Sequence, residues 1–319
     1  MVRTFLVLAL LSMALPVQAQ PPSPPQPVAA AATAEPQVIE VRENGLYARL
    51  IIPADLEGPR PAIIALGGSE GGIASADRLG RRLAAQGYVV LATAYFAEEG
   101  LPKALIEVPV ETFERALDYL KARPEADPGR IGVIGGSKGA EAALLLASRR
   151  PEIRAVVAGV PSNVVWQGID FSDWSQVKSS WSLAGQPVAF VPYAPGPFSG
   201  RIRDVYDRSM PAEGQEGEAA IPVERIDADV MLVSAGQDGL WPSTPMSERI
   251  GRRLKANGFR FRFEHLAYPD AGHGVMGAPV SAEQAAQLAR LGGTPEANMA
   301  ARADAWPKIL AFLDETLRH

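Results

Sequence analysis

The stretch from 131 to 139, IGVIGGSKG, constrains the fold of this chain more than any other. A short apolar run ends in Gly-x-Ser-x-Gly, and a helix-like run, Ala140 to Ser148, follows at once. This order predicts a strand, a sharp turn and a helix, with Ser137 at the turn, as in a nucleophile elbow. The first N–H groups of the helix would face the space above the serine, where an oxyanion could form. The alternative interpretation is a glycine-rich turn with an ordinary capping serine.

Strand and helix patterns alternate along the chain on both sides of this turn. Asn44-Gly45 between two apolar runs predicts a β-hairpin at the sheet edge. Short apolar runs then alternate with segments of helical spacing, which indicates a mostly parallel sheet built from βα units. The predicted strands are Gln37 to Arg42, Leu46 to Ile52, Ala62 to Leu66, Tyr88 to Ala94, Ile131 to Gly136, Arg154 to Ala158, Val230 to Ala235 and Arg260 to Leu266, and the predicted helices are Ser75 to Gln86, Val110 to Ala122, Ala140 to Ser148, Pro245 to Asn257 and Ala297 to Leu317, the last interrupted near Pro307.

Residues 162–225 break this alternation. The segment holds Trp166, Trp174 and Trp181 with many prolines, and its apolar residues have no clear period. A long irregular segment inside a regular α/β fold is more often functional than decorative. We therefore predict one domain over residues 37–319 with a cap over the active site, the alternative being an excursion that only packs on the core.

The first residues have the pattern of a secretory signal peptide. Arg3 precedes the apolar run Phe5 to Leu15, and small residues precede a cleavage site after Ala19. The apolar run is short for a bilayer span, so we expect cleavage rather than a retained anchor, and no membrane span afterwards. Residues 20–36 are rich in proline and alanine, as in a linker. The sequence thus predicts a periplasmic or secreted protein.

Composition excludes several classes of function. The absence of cysteine removes disulfides, thiol catalysis and thiolate metal sites, and the 3 histidines show no spacing typical of metal ligands. The net charge of -5, without a cluster of basic residues, argues against nucleic acid as a partner. Neither GxxxxGK[ST] nor GxGxxG is present, so we expect no nucleotide cofactor and no metal. The oligomeric state is left open.

A nucleophilic serine needs a base, and the base needs a carboxylate that orients it. In α/β-hydrolases these residues follow one another in the order serine, acid, histidine. His319 is the last residue, and His265 lies inside a predicted strand, where the sheet would fix its side chain. His273 lies in a loop after the last predicted strand, so it is the candidate base by elimination.

The candidate acid follows the predicted strand Val230 to Ala235 directly. Asp238 lies there in Gly-Gln-Asp-Gly, at the carboxyl end of a strand, where catalytic groups gather in open parallel sheets. It comes after Ser137 and before His273, as the order requires. Its alternative role is an Asx turn. Asp270 competes for the role of acid, but its closeness to His273 suits it better to shaping that loop.

Two N–H groups are expected to form the oxyanion hole. One is that of Lys138, the residue after the nucleophile. The other would come from the glycine-rich loop Gly67 to Gly72, which follows a buried strand, with Gly68 or Ser69 as the predicted donor.

Several separated motifs resemble those of one known family, at residues 135–141, 160–168, 236–243, 292–298 and 306–308. By these motifs the chain is similar, from about residue 38 to 317, to the C-terminal catalytic domain of acyl-CoA thioesterases and bile acid-CoA:amino acid N-acyltransferases, which are dienelactone-hydrolase-like members of the α/β-hydrolase superfamily. The resemblance implies an α/β-hydrolase fold with helices on both faces of a mostly parallel central sheet. It also implies that Ser137, Asp238 and His273 are nucleophile, acid and base.

The chain departs from this family in two ways. Eukaryotic members carry an N-terminal β-sandwich domain, for which there is no room before residue 37. Members that transfer the acyl group to an amine use cysteine where this chain has Ser137, and a serine ester acylates amines less readily than a thioester does. We therefore expect an exported serine hydrolase that cleaves a carboxylic ester or thioester through an acyl-enzyme. The alternatives are an acyltransferase to an amine or alcohol, and a non-catalytic binding protein on a hydrolase scaffold.

Overall fold

An eight-stranded sheet lies at the centre of the chain in the computed structural model, which describes residues 35–173 and 175–318. The predicted signal peptide, all but the last two residues of the predicted linker, Trp174 and His319 lie outside the described residues. Within the described ranges, no helix combines the length and apolar character needed to cross a bilayer.

The elements alternate along the chain as the sequence predicts, with a small second sheet formed by three short strands. The strands are β1 Gln37–Val41, β2 Tyr47–Ile52, β3 Arg60–Leu66, β4 Val89–Ala94, β5 Val108–Pro109, β6 Ala126–Gly136, β7 Ile153–Gly159, β8 Trp181–Leu183, β9 Gln186–Pro187, β10 Asp229–Ala235 and β11 Phe263–Tyr268. The helices are α1 Ala74–Ala84, α2 Glu111–Lys121, α3 Lys138–Ala147, α4 Ile202–Ser209, α5 Ser243–Ala256, α6 Ala282–Leu288 and α7 Pro295–Leu317.

The main sheet has the order β1-β2-β4-β3-β6-β7-β10-β11. Strand β2 pairs with β1 and β4 in antiparallel fashion, and all the other neighbours are parallel. The predicted hairpin is present: the N–H of Leu46 donates to the carbonyl of Glu43, and Asn44 and Gly45 have φ of 50° and 74°. Positive φ at both central residues is the mark of a type I′ turn, which matches the twist of the two strands.

Apolar side chains cover both faces of the central strands. All six residues of β4 are buried, as expected for a strand with helices on either side. Phe113 of α2, Leu144 of α3 and Leu254 of α5 pack on one face. Leu83 of α1 and Phe312 of α7 pack on the other. The predicted α/β architecture with helices on both faces is confirmed.

The carboxyl ends of β3, β6, β7, β10 and β11 lie along the same edge of the sheet, because these strands are parallel neighbours. In open parallel sheets this edge is where ligands bind. The loops that carry the candidate residues therefore meet at this edge, although they are far apart in sequence.

The segment 162–225 has more order than its sequence suggests. Strand β8 pairs with β5 and β9 to form the second sheet, and α4 follows. Its aromatic residues form a cluster of their own: the ring of Tyr206 lies 4.9 Å from that of Trp166 and 5.5 Å from that of Trp241. Trp241 belongs to the loop after β10, so the insertion is packed against the carboxyl edge of the sheet.

Two predicted details are wrong, and one helix has no counterpart in the prediction. Helix α7 runs through Pro307 without the predicted interruption, because buried Ala305 and Ile309 on either side hold it against the sheet. The last strand begins at Phe263 rather than Arg260, where its pairing with β10 starts. Helix α6 was not predicted, although Ser281 and Gln284 form a capping box that marks its start.

Candidate active site

The turn after β6 has the geometry of a nucleophile elbow. Ser137 has φ 56° and ψ -122°, a conformation that residues with a side chain rarely adopt and that concentrates at functional sites. Its N–H donates to the carbonyl of Gly159 on β7 at 2.9 Å. A Cβ on Gly139 would lie 2.2 Å from the carbonyl oxygen of Gly67, so only glycine permits this approach of helix and loop. The Ser137 hydroxyl is half-buried and makes no hydrogen bond to the described residues.

Asp238 and His273 form a buried pair. Both carboxylate oxygens of Asp238 lie 2.9 Å from His273 Nδ1, and the two residues are 3% and 9% exposed. The contact places the proton of a neutral imidazole on Nδ1 and leaves Nε2 free to accept one. Asp270, the rival candidate, is exposed and has no such contact.

Asp238 also accepts hydrogen bonds from its own loop. Its Oδ1 receives the N–H of Leu240 at 2.9 Å and that of Trp241 at 3.2 Å. The Asx turn that was the alternative role for this residue is therefore present together with the pairing. The turn fixes the carboxylate against His273, because both contacts use the same oxygen.

The loop of His273 packs onto the strand ends that present Ser137. A Cβ on Gly136 would lie 3.3 Å from Met276 Cε, and one on Gly159 would lie 2.4 Å from Met276 Sδ. The Trp241 ring lies 5.9 Å from the His273 ring. The loop that carries the candidate base therefore packs over the carboxyl ends of β6 and β7 through Met276.

The glycine-rich loop after β3 contacts the elbow. A Cβ on Gly68 would lie 3.2 Å from Ser137 Cβ. The N–H of Gly68 already donates to Glu70 Oε1 at 3.1 Å, whereas the N–H of Ser69 makes no hydrogen bond to the described residues. Of the two predicted loop donors, Ser69 is free and Gly68 is occupied.

Tyr95 fixes the orientation of this loop. Its buried hydroxyl lies 2.8 Å from the Gly67 carbonyl oxygen and 3.0 Å from that of Gly68. A carbonyl and the next N–H point in opposite directions across a trans peptide. The N–H of Ser69 therefore points away from Tyr95. Burial raises the pKa of Tyr95 well above its usual range, so the hydroxyl stays a donor.

Comparison with known proteins supports what the geometry suggests. Residues 108–319 match the family described as BAAT / Acyl-CoA thioester hydrolase C terminal. The chain belongs to this family. The matched range includes Ser137, Asp238 and His273, but not the loop after β3.

Curated relatives in this thioesterase and acyltransferase family cover most of the chain. Mouse (Mus musculus) acyl-coenzyme A thioesterase 5 is 30% identical over 88% of this chain and 65% of its own. Rat (Rattus norvegicus) acyl-coenzyme A amino acid N-acyltransferase 2 is 31% identical over 87% of this chain and 65% of its own. The chain thus spans 65% of the length of these relatives.

Solved structures share the fold at low sequence identity. A dienelactone hydrolase-like promiscuous phosphotriesterase from metagenomic libraries aligns with a TM-score of 0.56 at 15% identity, over 89% of this chain and 99% of its own. An acylaminoacyl peptidase of Pyrococcus horikoshii aligns with a TM-score of 0.58 at 14% identity, over 89% of this chain and 42% of its own. These likenesses show the α/β-hydrolase fold.

This thioesterase-family chain has a buried ion pair next to its elbow that no sequence motif predicts. Lys138 Nζ lies 3.1 Å from Glu141 Oε2, and the side chains are 1% and 0% exposed. Burial lowers the pKa of Lys138 and raises that of Glu141, while the attraction between them opposes both shifts. The sequence signal for this pair is the presence of two oppositely charged residues, three positions apart, in the otherwise apolar helix α3.

The ion pair joins the elbow helix to the insertion. Lys138 Nζ donates to Ser180 Oγ at 2.8 Å. Glu141 Oε1 accepts the indole N–H of Trp181 at 2.7 Å and the backbone N–H of Trp166 at 3.2 Å. The insertion is therefore fastened by charge-assisted hydrogen bonds to the helix that begins just after Ser137.

The insertion also reaches the loop of the candidate acid. Arg203 of α4 donates to the backbone carbonyl of Asp238 at 2.8 Å. Within the described part of the chain, no group of three or more His, Asp or Glu residues is placed to bind a metal ion. The candidate site consists of a half-buried serine, a buried histidine–carboxylate pair and N–H groups without a hydrogen-bond partner among the described residues, which suits proton abstraction and acyl transfer.

Proposed function

We propose that this protein is a serine hydrolase that cleaves carboxylic ester or thioester bonds through an acyl-enzyme. The observation that carries the proposal is the buried Asp238–His273 pair on the same sheet edge as Ser137, whose backbone is strained. Family membership supports the same chemistry, since the relatives' names include both thioesterases and an N-acyltransferase.

In the proposed reaction, His273 Nε2 takes the proton of Ser137 as its Oγ attacks the acyl carbonyl. Asp238 stabilises the imidazolium that forms. The oxyanion accepts hydrogen bonds from the N–H groups of Lys138 and Ser69. These donors lower the activation barrier because their positions are fixed before the reaction starts. Collapse of this intermediate breaks the bond to the alcohol or thiol, which leaves with the proton from His273. Water then repeats the sequence and releases the acid.

Hydrolysis is favoured over acyl transfer by the nucleophile. A serine acyl-enzyme is an oxygen ester, which reacts less readily with amines than a thioester would. The second candidate, transfer to an amine or alcohol, keeps support from the 31% identical N-acyltransferase. Adding amino acids or alcohols to the assay distinguishes the two, because transfer yields an amide or a new ester in place of the free acid.

The proposed leaving group depends on the cellular location of the protein. The thioesterase names of the relatives point to an acyl-CoA. Export through the segment 1–19 would separate the protein from cytoplasmic acyl-CoA, and a simple ester then fits better. We propose a periplasmic or secreted location. N-terminal sequencing of protein from its native host checks this: a start at Gln20 supports export, and an intact Met1 contradicts it.

Replacing Ser137 by alanine tests the proposed nucleophile. We expect kcat to fall by about 10⁶-fold with the fold intact, because loss of the nucleophile leaves only substrate binding and the oxyanion hole to act. Turnover of chromogenic esters and of acyl-CoA, with labelling by a fluorophosphonate, provides the measurement. Ser148→Ala at the end of the same helix is the matched control and should keep activity and labelling.

Two results would overturn the proposal. Substantial turnover by the Ser137→Ala variant would show that another group is the nucleophile. A wild-type protein that neither labels nor hydrolyses any ester or thioester would favour the non-catalytic alternative.

A further inference from the structure

Two side chains of helix α7 hold the loop of His273 from outside the proposed catalytic groups. Asn298 and Arg302 lie one turn apart on this helix, so they project from the same side. Asn298 belongs to the motif 292–298, to which the proposed reaction gives no role. Asn298 is fully buried and Arg302 is half-buried.

Asn298 bridges the loop of the candidate base and a second loop. Its Oδ1 accepts the N–H of Gly272 at 2.7 Å, and its Nδ2 donates to the carbonyl of Gly292 at 3.1 Å. Gly272 immediately precedes His273. A Cβ on Gly272 would lie 1.9 Å from the Gly292 oxygen, so only glycine permits the two loops to meet here.

The second loop in turn contacts the loop of the candidate acid. The N–H of Gly239 donates to the carbonyl of Leu291 at 2.9 Å, and Asp238 pairs with Gly292 in a single antiparallel bridge. One amide side chain thereby fixes the acid loop and the base loop relative to each other.

Arg302 holds the other side of His273. Its guanidinium donates to the carbonyls of Gly274 and Met276 at 2.7 Å and to that of Ala278 at 2.8 Å. It has no carboxylate partner among the described residues. Burial lowers its pKa to about 10, so it is still charged at neutral pH. Burying a cation against carbonyls of a single loop is expensive, which suggests that the shape of this loop matters.

We infer that Asn298 and Arg302 are positioning residues that bracket His273, one fixing the residue before it and the other the residues after it. This inference rests on the proposed function. With both contacts in place, the imidazole keeps its Nδ1 against Asp238, which leaves Nε2 for the proposed proton transfer. The docking of α7 does not depend on them, because Ile309, Phe312 and Leu313 are buried farther along the helix.

The test compares Asn298→Ala and Arg302→Ala with a control on the same helix, Leu313→Ala. In both test variants we expect kcat to fall by about 10- to 100-fold with little change in KM, because small misplacement of a catalytic group acts on the chemical step. Fluorophosphonate labelling should slow in parallel. The control should lower the melting temperature and leave kcat at 25 °C unchanged.

A second measurement separates positioning from general destabilisation. The proton shared by His273 Nδ1 and Asp238 should give a strongly downfield proton NMR signal in the wild type and in Leu313→Ala. We expect this signal to weaken or disappear in Asn298→Ala. Arg302→Lys, which keeps the charge and reaches fewer carbonyls, should restore part of the activity lost in Arg302→Ala.

The inference is wrong if Asn298→Ala and Arg302→Ala turn over like the wild type, or if Leu313→Ala loses kcat and the downfield signal to the same extent. If Asn298→Ala fails to fold, Arg302→Lys and Arg302→Ala decide the matter. An inactive wild type would instead overturn the proposed function, while the NMR comparison would still report on the positioning.

Discussion

The carboxylate of Glu70 occupies the N–H of Gly68 in the loop beside Ser137. A Cβ on Gly68 would lie 2.8 Å from Glu70 Oε2 and 3.2 Å from Ser137 Cβ, so the carboxylate stands close to the elbow. In the proposed reaction negative charge develops at this place, and a carboxylate nearby opposes it. Glu70 therefore stabilises the observed shape of the loop and would disfavour the proposed oxyanion.

We expect Glu70→Gln to bind an anionic tetrahedral adduct more tightly. A boronic acid forms such an adduct with a nucleophilic serine, and removing the nearby negative charge should lower its inhibition constant by about 3- to 10-fold, equivalent to about 1 kcal/mol. Inhibition of ester hydrolysis measures the constant. Glu99→Gln, an exposed residue without this contact, carries the same change of charge and should leave the constant unaltered. Weaker binding to Glu70→Gln would contradict the prediction.

Two candidate residues could be selected from sequence because Ser137 and Asp238 each follow a short apolar run. His273 could be selected because the other two histidines do not suit the role, and the structure pairs it with Asp238. The occupied N–H of Gly68 could not be predicted, because a glycine-rich motif does not show which of its N–H groups a neighbouring side chain will take.

Among the elements, helix α3 carries an ion pair that is unusually sensitive to the loss of one partner, because both side chains are buried. Lys138 and Glu141 are buried on all sides, and Glu141 also accepts two N–H groups from the insertion. Removing one partner leaves the other buried without an opposite charge, because Glu141 then keeps only two N–H donors and Lys138 only the Ser180 hydroxyl. The helix and the insertion therefore depend on both partners together.

We expect Lys138→Met to lower the free energy of unfolding by about 3–5 kcal/mol, and the double variant Lys138→Met/Glu141→Leu to be less destabilised than the sum of the single changes. Denaturant unfolding measures each variant. The exposed pair Lys308–Asp304 is the control, and Lys308→Met should cost no more than about 1 kcal/mol. Equal losses at both sites would show that the buried pair has no special role.

Elements differ in how far the sequence determines them. The central strands could be placed because their apolar runs are buried by helices on both faces. The pairing of β5 with β8 could not, since it joins Val108 to Trp181 across a long stretch of chain. Pro307 was expected to break α7, but the loss of one helical hydrogen bond is outweighed by the buried residues on both sides of it.

At the scale of the whole molecule, stability depends on a histidine outside the site. His265 lies on β11, the last strand of the sheet, and its Nε2 is 2.7 Å from Ser234 Oγ on β10. Burial lowers the pKa of His265 below its ordinary value of 6.5. The unfolded chain then binds more protons than the folded one between the folded pKa and 6.5.

The free energy of unfolding should accordingly fall as the pH drops below about 6.5, since the folded state must take up a charge that burial disfavours. His265→Gln keeps a hydrogen-bonding side chain but does not titrate. The free energy of unfolding of this variant should therefore lie below that of the wild type by a smaller amount at pH 5 than at pH 7.5, as measured by urea unfolding. If the difference in free energy of unfolding between the two proteins is constant across this range, His265 does not contribute to the pH dependence of stability.

Helix α7 is the last helix of the described chain, and it holds the loop of His273 through Asn298 and Arg302. A nascent chain that has reached the elbow has not yet reached this helix, because α7 follows Ser137 in the sequence. The strained turn of the proposed nucleophile can therefore form before Asn298 and Arg302 are available to position the proposed base. If the proposed roles hold, a ribosome-bound fragment that ends before α7 should contain the elbow and still lack esterase activity.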